Sequence, residues 1–303
     1  MKYPKVSIIV LNYNGLVDTV ECLESLKAIT YPDYDIVLVD NHSNGDDVKM
    51  LRGLYKDIHI VECEINRGFG GGNNRGMQYA LRKLNPDYLL LLNNDTIVAP
   101  DFVEGLINAF RYFPAVGASV AKICHYDKRD KIEAAGCHID MWRGQCYRLG
   151  WMRKDNGGGK LEEVNSAAIN AFMISREAVL DVGFFDEKYF IYMDDADYCT
   201  RLINWGYKII YTPRSKIWHK VGATTRRVTG LPYYYLARNN FRFMRQHATK
   251  AQYRFFLTYF FGIHLWMMSA AYLLYFRNLD VVKGYFQGVK DGLSQITGEV
   301  VKL

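Results

Sequence analysis

From Val6 to Val120 short apolar runs alternate with stretches of helical period, the pattern of a parallel sheet flanked by helices. The runs Val6–Leu11, Ile36–Asp40, Ile58–Cys63, Tyr88–Leu92 and Val116–Ile123 predict strands. Helices are predicted over about Val17–Lys27, Asp46–Tyr55, Gly72–Lys83 and Asp101–Phe113. The expected class is therefore α/β, with a Rossmann-like, mostly parallel sheet. Ligands of such sheets collect outside the carboxyl ends of the strands, which directs attention to the loops after Leu11, Asp40, Cys63 and Leu92.

From about Lys131 to Ile174 the pattern weakens into hairpin-like segments around Arg143-Gly144 and Asn156-Gly157-Gly158-Gly159, read as an insertion at the mouth of the sheet. A short helix from Arg176, a turn at Gly183-Phe184-Phe185-Asp186, a helix over about Asp194–Trp205 and a strand over Lys208–Tyr211 follow. Beyond Leu231 the chain turns to helices rich in arginine and aromatic residues, so a catalytic domain over 1–230 and a helical, membrane-associating region over 231–303 are expected. Phe255–Phe276 carries no formal charge and as one helix would extend ~33 Å, enough for a bilayer core. Its tyrosine and tryptophan residues suit a membrane interface equally well. A bilayer span, an interfacial helix and packing within the chain or against a second copy, giving a homo-oligomer, all stay open. Val281, Val282, Tyr285, Phe286, Val289, Leu293 and Ile296 mark a further amphipathic helix.

Composition narrows the class. Half of the 303 residues are hydrophobic and 23% are charged, a globular mix that argues against a disordered, fibrous or many-pass membrane protein. The net charge of +6 is unevenly spread: no acid occurs between Asp197 and Asp280, a stretch holding thirteen lysines and arginines. That block calls for an anionic neighbour, and on charge alone phosphate, nucleic acid or an acidic membrane surface would each serve, although no nucleic acid partner is expected. Six cysteines lie singly without a C-x-x-C pair, consistent with free thiols in a reducing cytoplasm. The apolar run at the N-terminus is too short for a signal peptide, so the expected location is cytoplasmic, peripheral or monotopic at the inner face of the cell membrane.

Several loops carry candidate chemistry. In Asn66-Arg67-Gly68-Phe69-Gly70-Gly71-Gly72-Asn73-Asn74-Arg75-Gly76 neither the dinucleotide nor the P-loop template fits. Glycines before a helix nevertheless let backbone amides approach a diphosphate, with Arg67 adding charge; a glycine-rich helix start without a ligand is the alternative. Asn12-Tyr13-Asn14-Gly15 and Asp40-Asn41-His42-Ser43 sit where a ribose or base is read, or serve as ordinary turns. Asn93-Asn94-Asp95-Thr96 ends a leucine strand, and an acid there suits a hard divalent cation bridging phosphates, or a cap. Asp194-Asp195-Ala196-Asp197 crowds three carboxylates into a helix start, where one can act as a base or all can serve the helix dipole. His219 is a ligand candidate or a structural histidine.

In this order, Val6-Ser7-Ile8-Ile9-Val10-Leu11-Asn12-Tyr13-Asn14-Gly15, Val39-Asp40-Asn41-His42-Ser43, Asn66-Arg67-Gly68-Phe69-Gly70-Gly71-Gly72-Asn73, Leu92-Asn93-Asn94-Asp95, Gly183-Phe184-Phe185-Asp186-Glu187, Asp194-Asp195-Ala196-Asp197-Tyr198 and Trp218-His219 resemble the family 2 glycosyltransferases. More narrowly they resemble the branch with rhamnosyl- and galactofuranosyl-transferases, over about residues 4–226. The resemblance implies a GT-A fold, a nucleotide-diphosphate sugar donor, a divalent metal (Mg or Mn) and inversion at the anomeric carbon. It would set Asn12, Tyr13, Asn14, Asp40 and Asn41 on the nucleoside side of the donor and Asn66, Arg67 and Gly68 on its diphosphate side. Asn93-Asn94-Asp95 stands in the place of the D-x-D motif with only its last acid kept, which makes Asp95 the principal carboxylate ligand and His219 a further one. Asp195 falls where the family has its catalytic base. Asn41 replaces an acid that reads the base in many relatives, which leaves the nucleoside open.

Arg226 and Arg227 are candidates to close over the diphosphate, or are solvated surface residues. On the acceptor side, Asp194, Trp142, Trp151 and Trp218 are candidates, with tryptophans stacking on a sugar or buried in the core. A saccharide or a polyprenyl-linked acceptor in cell-surface glycan assembly fits the basic, aromatic C-terminal region. Two rival readings stand beside the transferase: a sugar nucleotidyltransferase, disfavoured by the lack of a basic residue in Asn12-Tyr13-Asn14-Gly15, and a non-catalytic nucleotide-binding membrane scaffold.

Overall fold

The computed structural model describes residues 3–220 and 230–299; Arg226 and Arg227 lie outside these. The first half follows the predicted alternation. It runs β1 (Val6–Asn12), α1 (Leu16–Leu26), β2 (Tyr34–Asp40), α2 (Asp47–Leu54), β3 (His59–Glu62), α3 (Gly68–Lys83), β4 (Tyr88–Asn93), β5 (Thr96–Val98), α4 (Phe102–Tyr112) and β6 (Val116–His125). The insertion contributes β7 (Ile132–Ala134), β8 (Cys137–Asp140), β9 (Gln145–Arg148) and β10 (Glu162–Val164); β11 (Ala171–Ser175), α5 (Arg176–Val182), α6 (Asp194–Asn204) and β12 (Lys208–His219) complete the α/β part.

The main sheet is ordered β10-β12-β6-β11-β4-β1-β2-β3, with β5 on β12 and β7 on β6, while β8 and β9 form a separate ribbon. β1, β2, β3 and β4 run parallel, and β12 runs parallel to β6. β11 lies antiparallel between β4 and β6. Successive residues of a strand face opposite sides, and both sides are covered. Ile8, Val10, Leu90, Leu92 and Ile217 pack with Leu23, Leu26, Phe102 and Leu106 on one face. Ile9, Val39, Leu89, Leu91 and Phe172 pack with Met77, Val179, Tyr198 and Leu202 on the other. This double burial is why these strands read as unbroken apolar runs.

Three expectations need correction. β11 was not foreseen as a strand. β12 continues well past Tyr211 to His219, across a register shift between Thr212 and Lys216 that contains Pro213 and hides its continuity. α3 starts at Gly68, so the glycine run lies inside the helix and not before it. Gly68 has φ +71°, and a Cβ there would come within 2.1 Å of the Phe190 carbonyl oxygen, which leaves glycine as the residue that fits.

The C-terminal helices are α7 (Leu231–His247), α8 (Lys250–Tyr259), α9 (Leu265–Phe276) and α10 (Leu279–Leu293). A π turn over Phe260–His264 joins α8 to α9, and Lys250–Phe276 is the one helix among the described residues long and apolar enough to cross a membrane. Most of its apolar side chains, among them Phe255, Ile263, Trp266, Leu274 and Tyr275, are exposed. α10 lies tightly on α7: a Cβ at Gly288 would come within 2.2 Å of the Tyr234 carbonyl oxygen. Phe241, Phe243, Phe256 and Tyr285 of this region share one core with Tyr189, Met193 and Ala196, the segment leading into and opening α6.

Candidate active site

The carboxyl ends of β1, β2, β4 and β12 bring most of the candidate residues to one edge. Asn12 is fully buried beneath its loop: Nδ2 donates to Asp40 Oδ1 at 2.8 Å, and Oδ1 accepts from Thr19 Oγ1 at 2.7 Å. Asp40 Oδ2 accepts the Ser43 amide at 2.9 Å. Asn14, at φ 52°, accepts the Asn44 amide at 2.7 Å, and half-buried Tyr13 precedes it. Asn41 links the second loop to the third, donating to Asn66 Oδ1 at 2.9 Å and the Gly68 carbonyl at 3.0 Å, and accepting the Arg67 amide at 3.0 Å. Asn12, Asp40 and Asn41 thus lock the loops together, while Arg67 stays at the surface, 3.4 Å from Glu187.

At the end of β4 the two amides of Asn93-Asn94-Asp95 differ in use. Asn93 is fixed through its backbone, its N–H to the Asn170 carbonyl at 3.1 Å and its carbonyl accepting Thr96 Oγ1 at 2.6 Å. Asn94 Nδ2 turns back to Thr19 Oγ1 at 2.8 Å. Asp95 alone keeps a free oxygen: buried Oδ1 makes no hydrogen bond and faces His219 Nε2 at 3.3 Å. Strand pairing puts His219 opposite Thr96, and the Lys220 amide donates to the Asp95 carbonyl at 3.0 Å.

Behind His219 stands Glu133 of β7, a residue the sequence did not single out. It is 2% exposed, with Oε2 2.8 Å from His219 Nδ1 and Oε1 accepting from Arg148 Nη1 at 2.7 Å. A carboxylate only accepts, so Nδ1 carries the proton and Nε2 is turned toward Asp95. Burial disfavours imidazolium here, yet the Asp95 and Glu133 carboxylates on either side of the ring outweigh it and raise the His219 pKa to about 9. Among the described residues no three His, Cys, Asp or Glu side chains converge as a metal cage. Two donors, one of them an unbonded carboxylate oxygen, fit a divalent ion that takes its other ligands from substrate phosphates and water.

α6 begins with Asp194 and Asp195. Met193 and Tyr192 hold positive φ before it, so the helix start is turned sharply inward. Asp194 is buried, its Oδ2 lacks a hydrogen bond, and this atom lies 3.4 Å from where a Cβ on Gly70 would stand. Burial raises both carboxyl pKa values. Asp194 is pushed well up, with the neighbouring Asp195 charge adding to the effect, whereas the Ala196 amide at 2.8 Å and the Arg148 charge hold Asp195 back. The upward push is thus stronger on Asp194 than on Asp195, whose carboxylate accepts the Ala196 amide. Arg148 acts on both Asp195 and Glu133, so one side chain connects the α6 acids with the Asp95–His219 pair. Asp197, by contrast, is structural: it is 0% exposed and bound to His247 Nε2 at 2.7 Å and Arg201 Nε at 2.9 Å.

The acceptor tryptophans are not gathered here. Trp218 points to the face of β12 opposite His219, with Lys216 and Arg129 over its ring. Trp142 sits at the tip of the β8–β9 ribbon, the end remote from Arg148, edge-on to Phe255 at 5.6 Å. Trp151 stacks edge-on with His125 at 5.0 Å.

The family described as glycosyl transferase family 2 matches residues 7–183. A Shigella flexneri protein named dTDP-rhamnosyl transferase RfbF is 23% identical over 279 residues, 87% of either chain. The N-acetylglucosaminyl-diphospho-decaprenol L-rhamnosyltransferase of Mycobacterium tuberculosis is 23% identical over 223 residues, 68% of this chain and 72% of its own. In solved structures, a mannosyltransferase of Pyrobaculum calidifontis in complex with GDP-Man and Mn2+ superposes with a TM-score of 0.57 at 16% identity, covering 97% of this chain and 88% of that one. GalNAc-T7 with UDP, GalNAc and Mn2+ gives the same TM-score and identity over 88% of this chain and 57% of that one. These likenesses identify the fold as GT-A-like.

Proposed function

The chain belongs to glycosyl transferase family 2, in its rhamnosyltransferase-like branch, and from that premise we propose that it transfers a hexosyl or deoxyhexosyl unit from a nucleotide-diphosphate sugar to a hydroxyl of a saccharide or polyprenyl-linked acceptor, with inversion and with a divalent cation. The observation that carries the reading is the facing of Asp95 and His219 at 3.3 Å, with Asp95 Oδ1 unbonded, at the edge where the donor loops end. The names of these relatives support a nucleoside-linked donor and a lipid-linked acceptor, and the two solved neighbours described above were captured with Mn2+. Family membership favours the transferase over the nucleotidyltransferase reading.

Each residue then has a task. Asp40 and Asn41 fix the loops against which the nucleoside rests. Arg67 and the backbone at the start of α3 approach the diphosphate, where a helix N-terminus favours negative charge. Asp95 and His219 would hold a divalent ion, which would supply positive charge against the departing diphosphate. Asp195, at the start of α6, accepts the proton of the attacking acceptor hydroxyl, a contribution of typically ~10² to 10⁴ in rate. The apolar face of Lys250–Phe276 rests on the cytoplasmic membrane surface, close to where a polyprenyl-linked acceptor would be held.

Asp195→Asn is expected to abolish transfer while nucleoside diphosphate binding, followed by calorimetry with and without Mn2+, persists. Transfer at the parent rate by this variant would remove Asp195 from the mechanism.

A further inference from the structure

Between α7 and the end of α10 lies a cavity of about 160 Å³ lined by Arg238, Arg242 and Arg245, with Gln246, Gln295 and Thr297 around them. All three arginines belong to the acid-free stretch of the sequence, and the transferase reading gives none of them a task. Arg238 is 1% exposed and has no carboxylate in ion-pair reach among the described residues. It donates to the Gly298 carbonyl at 2.7 Å and the Tyr189 carbonyl at 2.9 Å and lies over the Tyr235 ring. Arg242 gives Nη2 to Asp186 at 2.5 Å, while its buried Nε has no acceptor. Arg245 donates to the Gly292 carbonyl at 3.3 Å.

Three guanidinium groups are thus gathered around open space with one carboxylate among them. The other acids nearby are engaged or turned out. Asp197 is taken by Arg201 and His247, Asp291 accepts the Tyr234 hydroxyl, and Glu299 is exposed. Capping the carbonyl end of α10 accounts for Arg245, and holding the Tyr189 segment accounts for Arg238. Neither accounts for three cations lining one cavity, which repel unless an anion joins them. The planar fork of arginine matches phosphate oxygens.

We propose that this cavity binds a phosphate group, with the guanidinium groups of Arg242 and Arg245 and the Thr297 hydroxyl around it, at a place whose lining includes none of the donor-loop residues. Asn239, beside Arg238, holds the carbonyls of Tyr189, Ile191 and Tyr192 at 2.8–2.9 Å. An anion here braces the segment that leads into Asp194 and Asp195. The phosphate is either free or the headgroup of a lipid, since α10 also packs against α9 of the exposed apolar helix.

Titration of the full chain with inorganic phosphate, followed by phosphorus NMR without divalent metal, tests the site independently of the transferase reading, because neither donor nor cation is present. Arg245→Gln and Thr297→Val are each expected to weaken binding at least about fivefold, the order of one hydrogen bond to a charged group. Asp95→Ala and the exposed control Lys283→Gln leave it unchanged. No binding by the parent, loss in Asp95→Ala, or equal loss in Lys283→Gln would overturn the proposal. Sedimentation with phosphatidic acid vesicles against phosphatidylcholine vesicles separates the sources: Arg245→Gln lowers the phosphatidic acid preference if the phosphate is a lipid headgroup and leaves it intact if it is free.

Discussion

Glu133→Gln isolates what holds His219 in place. Glu133 accepts from two donors at once, His219 Nδ1 at 2.8 Å and Arg148 Nη1 at 2.7 Å, in a pocket where its side chain is 2% exposed. Glutamine keeps the shape but offers one acceptor oxygen and turns an N–H toward the second donor. Arg148 is 44% exposed and can swing into water, so the amide keeps the bond to His219 and loses the charge that made the ring a strong donor at Nε2. Removing such an outer partner typically costs 10–100-fold in metal affinity, about 1.4–2.7 kcal/mol. The measurement is the Mn2+ dissociation constant from the free-ion paramagnetic resonance signal, with a nucleoside diphosphate at saturation. In a His219→Ala background Glu133→Gln should add nothing further, because its effect passes through the ring. An unchanged Mn2+ affinity in the folded single variant, or a full additional loss in the double variant, would refute the carboxylate–histidine–cation arrangement.

Gly288→Ala must push α10 off α7, since its Cβ would meet a backbone oxygen at 2.2 Å. A loss of about 1–3 kcal/mol is expected in urea unfolding, and parent-like stability would mean the helices are not pressed together. Asp155 lies between Lys122 at 2.6 Å and Lys216 at 2.8 Å. Burial acts to raise its pKa, but the two lysine hydrogen bonds prevail and lower it to about 2. A folded value below the unfolded ~3.9 means stability that is complete above pH ~4 and lost as pH falls through about 2, roughly 2–3 kcal/mol in all. The stability gap between parent and Asp155→Asn should therefore shrink between pH 4 and pH 2; parallel curves would contradict the pairing. Leu274→Glu with Tyr275→Glu places two acids on the exposed apolar face and should abolish sedimentation with vesicles while solution activity on a soluble acceptor persists; undiminished sedimentation would remove this helix as the membrane contact.

The parts of the fold that were legible from sequence are those whose burial is two-sided. β1 and β4 are continuous apolar runs because helices cover both faces, and periodicity reports that directly. β11 is just as buried, but Ala171–Ser175 closes the irregular insertion without a helix before it, and its antiparallel direction shows only in its pairing with β4 and β6. Pro213 and the register shift break β12 so that only its first part, Lys208–Tyr211, reads as a strand. Had its length been seen, alternation would already have put Trp218 and His219 on opposite faces. Asp95, His219 and Asp195 announced themselves by residue type at chain positions that matched a family pattern. Glu133 did not: in Ile132-Glu133-Ala134 its one signal is an acid between apolar neighbours, and its meaning comes from the pairing of β7 with β6.

The pairing of residue 95 with residue 219 also governs when the protein comes alive during synthesis. The early strands can collapse as soon as they leave the ribosome, but β12 reaches β5 and β6 only after the insertion and α6 have been made. Long-range closure of this kind is slow. A chain released before β12 would lack His219, and with it one side of the Asp95–His219 pair.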